Sequence, residues 1–191
     1  KGRMMYKDGV RYLSVGIITA LEGTEERKSY YLTESAYDPG TGLFNKRAIN
    51  EYTIERIRDC QNTHEGLYLA IIDVDDFKTI NDTYGHERGD EIIRIVARTL
   101  LEECPEDGYV YRFGGDEFVA FFPCNTPEDG ENFRTRAVSR LAHDGICISM
   151  GLAITQPYLD EELEFYLHEA DKDMYKIKNS KKKCKGSTVI S

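Results

Sequence analysis

Long apolar runs, Cys-x-x-Cys pairs and internal repeats are all absent from this sequence. Because no apolar run approaches the length of a membrane span, we expect no membrane contact by this chain. Its five cysteines are odd in number and scattered, which argues against a disulfide framework or a zinc site and favours free thiols in a reducing cytosol. Residues 1–5 lack the apolar core of a signal peptide and look like the cut edge of a longer protein. We expect this part to be cytoplasmic, although the full-length protein could be anchored in a membrane elsewhere.

The length and composition predict one globular domain with a remnant of another. At about 150 residues per domain, 191 residues allow one full domain and not two. Hydrophobic residues make up 40% and charged residues 31%, a profile typical of a globular protein. Turn residues cluster at 38–42, which predicts a boundary between a leading segment, 1–37, and a domain at 38–191.

The net charge of −9 is unevenly distributed along the chain. Residues 1–36 carry +1 and residues 172–191 carry +6, so residues 37–171 carry −16. A body this acidic repels a nucleic-acid backbone, so we expect no DNA or RNA partner. It can still bind a phosphorylated small molecule if carboxylates recruit divalent cations and the basic tail supplies counter-charge.

Hydrophobic patterning predicts interleaved strands and helices, with one hairpin in the middle of the chain. This order predicts an α/β layer with a mixed sheet. The predicted strands are 10–20, 67–74, 109–113, 118–122, 145–154 and 188–190, and the predicted helices are 24–36, 45–60, 87–101, 129–142 and 161–178.

An acidic segment ends the most apolar predicted strand. Residues 67–74 are apolar apart from Asp73, as in a strand buried on both faces, and Asp75 and Asp76 follow directly. A carboxylate at such a strand end lies at the sheet edge where α/β proteins bind ligands. Asp75 or Asp76 could instead cap a following helix, whose free N–H groups would face a phosphate. Asp73 precedes Val74 and has no capping role, so we favour metal binding for it.

The predicted hairpin turns at two glycines that are followed by two acids. Gly114 and Gly115 remove side chains where another group approaches the backbone, and Asp116 and Glu117 follow at once. Crowded carboxylates repel one another unless a divalent cation binds them, and hard oxygen ligands suit Mg²⁺ or Mn²⁺. Alone, a glycine pair followed by acids is more often a polar hairpin than a binding site. Together with Asp73, it predicts a two-metal centre for phosphoryl transfer.

A third polar segment, 81–90, lies between these two. Its Asn and Asp side chains can read the donor and acceptor edges of a purine, although turn formation and helix capping before residue 91 is the alternative interpretation. His86 is a candidate partner for phosphate or carboxylate, or else a structural histidine.

Together these segments resemble the GGDEF domain, the catalytic domain of diguanylate cyclases. Gly114-Gly115-Asp116-Glu117-Phe118 is similar to its signature, and the order and spacing of further segments fit across residues 38–190. These segments are 38–45, 73–90, 111–118, 149–153 and 170–178.

The resemblance implies a palm-like nucleotidyl-cyclase fold of the α+β class. Its central mixed five-stranded sheet would be flanked by helices, with an extra β-hairpin carrying the Gly-Gly-Asp-Glu-Phe turn. The implied reaction condenses two GTP into cyclic di-GMP and two pyrophosphates, with two Mg²⁺ (or Mn²⁺) ions per GTP. Because each domain would hold one GTP, catalysis would require a homodimer in which two domains face each other.

The resemblance also implies residue roles. Asp73, the carbonyl of Val74 and Glu117 would hold the metal ions, and Asp116 would share in metal binding or take the proton from the attacking 3′-hydroxyl. Asn81 and Asp90 would read guanine. Phe77 and Lys78 would contact the outer phosphates, where Lys178 and Lys182 would add positive charge. The implied substrate-binding residues are Asp76, Phe77, Lys78, Asn81, His86, Asp90, Gly114, Gly115, Lys178 and Lys182.

The sequence departs from the family pattern at two functional places. The usual inhibitory Arg-x-x-Asp is replaced by residues 105–108, which contain no arginine, so we expect weak product inhibition. The usual Gly-Arg-Asn after the last helix is replaced by three lysines, 181–183. Lysine keeps the charge but loses the bidentate geometry of arginine, and a solvated tail is the alternative for this run.

Two further expectations concern the whole protein. The leading segment resembles the closing strand and connecting helix of a PAS sensor domain, which would control how two cyclase domains meet. The alternative to an active cyclase is a catalytically weak GTP-binding GGDEF domain. Such a domain would regulate a neighbouring cyclic di-GMP phosphodiesterase or another output domain.

Overall fold

The computed structural model describes eight segments of the chain, with side chains between residues 36 and 181. Three of the described side chains are cysteines. These residues, Cys104, Cys124 and Cys147, are free thiols, as the scattered spacing of the cysteines predicted. The eight segments are residues 3–7, 10–14, 36–49, 66–105, 108–124, 126, 128–155 and 163–187. In the last of them, the side chains are described as far as residue 181.

The described residues form strands and helices that alternate along the chain. The strands are β1 (Arg3–Lys7), β2 (Val10–Ser14), β3 (Phe44–Asn45), β4 (Gly66–Val74), β5 (Tyr109–Arg112), β6 (Glu117–Cys124) and β7 (Ile148–Ile154). The helices are α1 (Lys46–Ala48), α2 (Phe77–Tyr84), α3 (His86–Glu103), α4 (Asp129–His143) and α5 (Leu163–Ser187).

Five of these strands form one mixed sheet in the order β3-β5-β6-β4-β7. β3 is parallel to β5, and the other neighbours are antiparallel. The predicted mixed five-stranded sheet flanked by helices is therefore confirmed. The hairpin at Gly114 and Gly115 is not an addition to this sheet, however, because its strands β5 and β6 are two of the five.

The interior strand β4 is covered on both faces, as its apolar sequence predicted. Leu67 and Leu69 pack on the face covered by Tyr166 of α5. Because side chains alternate along a strand, Asp73 lies on this same face. The opposite face packs against α3 and α4 through Tyr68, Ala70, Ile72 and Val74.

Several predicted elements lie outside the described residues. These are most of helices 24–36 and 45–60, the end of strand 10–20, and strand 188–190. The described part of the leading segment is the antiparallel pair β1 and β2. Such a pair is too general to support the resemblance to a PAS sensor.

The last helix is longer than predicted. The pattern predicted a helix over 161–178, whereas α5 runs from Leu163 to Ser187. Lysine is a good helix former, and its charge is favourable near a helix C-terminus, so the lysine run continues the helix. Neither α5 nor another helix in the described part is long and apolar enough to span a membrane.

A close contact between β7 and α5 brings the last helix onto the sheet. A Cβ atom at Gly151 would lie 2.0 Å from the carbonyl oxygen of Ala170 and 2.3 Å from the amide nitrogen of Met174. Only glycine allows the two backbones to approach this closely. One turn after Met174, Lys178 therefore reaches the end of β4.

Candidate functional site

Three strands bring polar residues to one edge of the sheet. In the antiparallel register, Asp73 of β4 lies opposite Glu117 of β6 on one side and opposite Ser149 of β7 on the other. Directly opposite residues of an antiparallel pair share a face of the sheet, with Cβ atoms about 5 Å apart. The backbone N–H of Val74 donates to the carbonyl oxygen of Asp116 at 3.2 Å, which joins the ends of the two strands.

The hairpin turn between β5 and β6 is closed by one carbonyl oxygen. The carbonyl of Glu117 accepts hydrogen bonds from the N–H groups of Phe113 (2.8 Å) and Gly114 (3.2 Å). A Cβ atom at Gly114 would lie 3.0 Å from the Glu117 carboxylate, whereas one at Gly115 would meet nothing within 4 Å. The sequence predicted a close approach at both glycines, and within the described residues it is found at Gly114, which leaves room for the acidic side chain, but not at Gly115.

An ion pair joins the last helix to the acidic strand end. Lys178 Nζ lies 2.8 Å from Asp73 Oδ1. Burial raises the pKa of the Asp73 carboxyl, Lys178 lowers it, and the charges of Asp116 and Asp75 raise it again, so that the pKa lies above its ordinary value. Burial is the largest of these effects, and the two neighbouring carboxylates add to it.

The predicted metal ligands lie near one another but do not surround a common point. In the part of the chain whose side chains are described, no three His, Cys, Asp or Glu residues form a group that could hold a metal ion. Asp73 and Glu117 are cross-strand neighbours, and Asp73 pairs with Lys178. Carboxylate oxygens and the Val74 carbonyl are nevertheless the hard donors that Mg²⁺ prefers.

The turn after β4 leads into the N-terminus of α2. Asp76 adopts φ +58°, in the left-handed region, and its side chain does not cap the helix. Asp75 does not cap it either but bonds to Ser149 and Lys181. In the first turn of α2, Phe77 packs on the core and Lys78 is exposed.

Helices α2 and α3 form a second polar corner. Asn81 Oδ1 is buried and makes no hydrogen bond to the described residues. Gly89 of α3 lies against it, since a Cβ atom there would lie 1.9 Å from this oxygen. Asp90 follows Gly89 and is exposed, as is His86 at the start of α3.

The structure shows contacts at this site that the sequence did not predict. Lys181 Nζ bonds to Asp75 Oδ2 and to Ser149 Oγ, and Arg112 bonds to Asp38. The negative charge in the middle of the chain and the positive charge at its end indicated that lysines of the last helix could contact acidic residues of the sheet. Lys182, a predicted phosphate ligand, lies in α5, but its side chain is outside the described part.

Arg112 connects the glycine turn to the segment before β3. Its guanidinium donates to Asp38 Oδ1 at 3.0 Å and to the carbonyl oxygen of Gly115 at 2.8 Å. Asp38 Oδ1 also accepts from the backbone N–H and the hydroxyl of Thr41. Burial raises the pKa of Asp38, but the hydrogen bonds from Thr41 and Arg112 outweigh it and hold the pKa below its ordinary value.

Arg112→Ala is expected to lower the free energy of unfolding by about 1–2 kcal/mol at pH 7, because it removes two charge-assisted hydrogen bonds. Folding lowers the pKa of Asp38 below its ordinary value of 3.8. The stabilisation that it provides is therefore complete above that pH and is lost as the pH falls through the folded-state pKa. Urea unfolding at a series of pH values measures this difference, which should shrink in acid.

Arg88→Ala is the matched control, since it breaks an exposed pair with Glu91 on one helix. We expect this change to cost less than about 0.5 kcal/mol. An equal loss in both variants, or a loss at Arg112 that stays constant into acid, would contradict the role of Asp38.

The fold and this end of the sheet define a class of protein: an α+β domain with acidic residues gathered at the end of the interior strand β4. The sequence profile of the family described as "Diguanylate cyclase, GGDEF domain" matches residues 35–184. The chain therefore belongs to the GGDEF family of diguanylate cyclases, which confirms the family resemblance.

Two relatives and one solved structure illustrate the match. Diguanylate cyclase DgcP of Pseudomonas aeruginosa is 31% identical over 150 residues, which are 75% of this chain and 22% of that protein. Diguanylate cyclase DgcZ of Escherichia coli is 29% identical over 173 residues, 86% of this chain and 58% of that protein. This chain thus spans less than two thirds of either relative.

The solved structure is the coiled coil and GGDEF domain of DgcB from Caulobacter crescentus in complex with c-di-GMP. It matches with a TM-score of 0.75 and 23% identity, covering 82% of this chain and 87% of that one. At this identity the likeness shows a shared fold.

Proposed function

We propose that this chain is a catalytically active diguanylate cyclase domain, which condenses two GTP into cyclic di-GMP and two pyrophosphates. The observation that carries the proposal is the pairing of Asp73 with Glu117 across β4 and β6. Burial and, to a smaller extent, the carboxylates of Asp116 and Asp75 raise the pKa of Asp73 even though Lys178 is bound to it. Together with Glu117 these are four carboxylates against the two ammonium groups of Lys178 and Lys181, so a divalent cation is favourable here, as a metal-dependent phosphoryl transfer requires.

The residues present fit Mg²⁺ by the chemistry of their donors and by this surplus of negative charge. Asp73, Glu117 and the carbonyl oxygen of Val74 would hold the ions, and Asp116 would share in binding them. When bound, the ions would supply charge stabilisation for the transferring α-phosphoryl group.

The reaction makes two equivalent phosphodiester bonds. The 3′-oxygen of one GTP attacks the α-phosphorus of the other, the bond to the bridging oxygen of the leaving group breaks, and pyrophosphate departs. Asp116 is the candidate for accepting the proton of the 3′-hydroxyl. Since each domain would hold one GTP, both transfers require two domains face to face, and positioning is their main contribution.

Asn81 is the best candidate for recognition of the base. Its buried Oδ1 makes no hydrogen bond to the described residues, and an unpaired buried acceptor is costly unless a ligand supplies a donor. Guanine offers N–H donors on the edge that distinguishes it from adenine. Asp90, which follows the Gly89 that packs on Asn81, would supply a second acceptor.

The phosphates would lie between the N-terminus of α2 and the last helix. A helix N-terminus whose N–H groups are not capped by a side chain favours an anion. Asp76, Phe77 and Lys78 surround this N-terminus, and Gly114 and Gly115 leave the adjacent turn open. Lys178, His86 and Lys182 would add positive charge or hydrogen-bond donors.

The test is incubation of the protein at high concentration with GTP and Mg²⁺, followed by chromatographic separation of the nucleotides. Formation of cyclic di-GMP and pyrophosphate is the expected result. GTP that is bound but recovered unchanged would contradict catalysis and favour a regulatory GTP-binding domain. The absence of GTP binding would contradict both functions.

Asn81→Ala is expected to lower kcat/KM for GTP by about ten-fold or more, because a site built to bond a polar substrate group discriminates through that bond. Inosine triphosphate lacks the 2-amino group of guanine, and the preference for GTP over it should shrink in this variant. Steady-state assays with both nucleotides measure the two effects. Asn132→Ala, on the exposed face of α4, is the matched control; equal behaviour of the two variants would contradict the assignment.

A further inference from the structure

Lys181 makes three polar contacts at the acidic end of the sheet. Its Nζ donates to Asp75 Oδ2 (2.8 Å), to the carbonyl oxygen of Ile148 (2.6 Å) and to Ser149 Oγ (3.2 Å). Ser149 Oγ in turn donates to the other carboxylate oxygen of Asp75 at 2.6 Å. Both carboxylate oxygens and the ammonium group are therefore engaged, and together they tie α5 to the start of β7 and to the turn after β4.

The contacts of Lys181 continue those of Lys178. The two lysines are three residues apart and lie on the same side of α5. Lys178 binds Asp73 near the end of β4, and Lys181 binds Asp75 in the turn that follows. One face of the helix therefore contacts both acidic residues. The backbone N–H of Asp75 also donates to the carbonyl oxygen of Cys147 at 2.9 Å, which adds a second link to the segment before β7.

The turn that Lys181 holds includes a residue in a backbone conformation that is uncommon outside glycine. Asp76, directly after Asp75, adopts φ +58° and ψ 23°. Such a conformation persists where the surrounding contacts fix it. The turn leads from Val74, whose carbonyl is a candidate metal ligand, to Phe77 and Lys78.

We infer that Lys181 is a positioning residue for the phosphoryl transfer, an inference that rests on the proposed function. By binding Asp75, it fixes the turn that presents the Val74 carbonyl and the first residues of α2. Its own contacts are with Asp75, Ile148 and Ser149, so its effect on the nucleotide passes through the turn. Since small displacements of reacting groups cost large factors in rate, its loss lowers kcat rather than substrate affinity.

The experiment compares Lys181→Ala with Lys172→Ala, which breaks an exposed pair with Glu169 on the same helix. We expect Lys181→Ala to lower kcat about ten-fold while KM for GTP changes less than about three-fold. Because Asp75, whose side chain is 14% exposed, loses its cation, the melting temperature should fall moderately, and kcat is therefore compared for the folded fraction. Lys181→Arg should restore most of the rate, and Lys172→Ala should match the unsubstituted protein.

A double-mutant cycle tests the route through Asp75. Asp75→Asn should lower kcat by itself, and adding Lys181→Ala to it should cause little further loss. A rise in KM with kcat unchanged would overturn the inference, because it would place Lys181 on the triphosphate. A lower melting temperature with unchanged kcat of the folded fraction would overturn it as well.

Amide hydrogen exchange provides a measurement that does not depend on activity. Exchange of the amides of residues 74–77 should be faster in Lys181→Ala than in Lys172→Ala. If the unsubstituted protein forms no cyclic di-GMP, the proposed function fails. Equal exchange in the two variants would independently overturn the tether between Lys181 and the turn.

Discussion

Replacement of Glu117 by glutamine is expected to lower the rate of cyclic di-GMP formation by about a hundred-fold or more. The change keeps the shape of the side chain and removes its negative charge, which is the property that a divalent cation requires. Loss of an interaction of several kcal/mol at the metal corresponds to a factor of this size. The measurement is the initial rate at saturating GTP and Mg²⁺, with pyrophosphate release as the signal.

The fold should survive this replacement because the Glu117 side chain is exposed. Its structural contribution is its backbone carbonyl, which accepts the N–H groups of Phe113 and Gly114 and is unchanged in the variant. Glu164→Gln, an exposed glutamate in the first turn of α5, is the matched control. A Glu117→Gln protein that melts normally and keeps its rate would show that this carboxylate holds no metal.

Local sequence patterns predicted the sheet and the placement of its acidic residues. The unbroken apolar run before Asp73 predicted a strand covered on both faces, and β4 is such a strand. Two glycines between apolar segments predicted the hairpin, whose strand β6 then pairs with β4. Asp73 and Glu117 were expected together because of the chemistry of a shared metal site, whereas the register that sets them opposite each other was not predicted.

Local patterns did not predict which partners these acids take. Lys181 and Asp75 are 106 positions apart, and no periodicity relates them. Their meeting depends on the length of α5 and on its closeness to β7, both of which are tertiary properties. The left-handed conformation of Asp76 was likewise not predictable, because local preference disfavours it and distant contacts fix it.

Gly151→Ala is expected to lower the free energy of unfolding by about 3 kcal/mol, the upper part of the usual range for overpacking. The added methyl group would lie 2.0 Å from a backbone oxygen of α5 and 2.3 Å from a backbone nitrogen, and neither can turn aside as a side chain can. The helix must therefore move away from β7. Urea unfolding of the variant and the unsubstituted protein measures the loss of stability.

The same displacement should lower activity even where the variant stays folded, because α5 brings Lys178 to Asp73 and Lys181 to Asp75. Gly115→Ala is the control for stability, since a Cβ atom there meets nothing within 4 Å. Its free energy of unfolding should stay within about 0.5 kcal/mol of the unsubstituted protein. If Gly151→Ala left stability and activity unchanged, the result would contradict the conclusion that the close contact between α5 and β7 positions Lys178 and Lys181 beside Asp73 and Asp75.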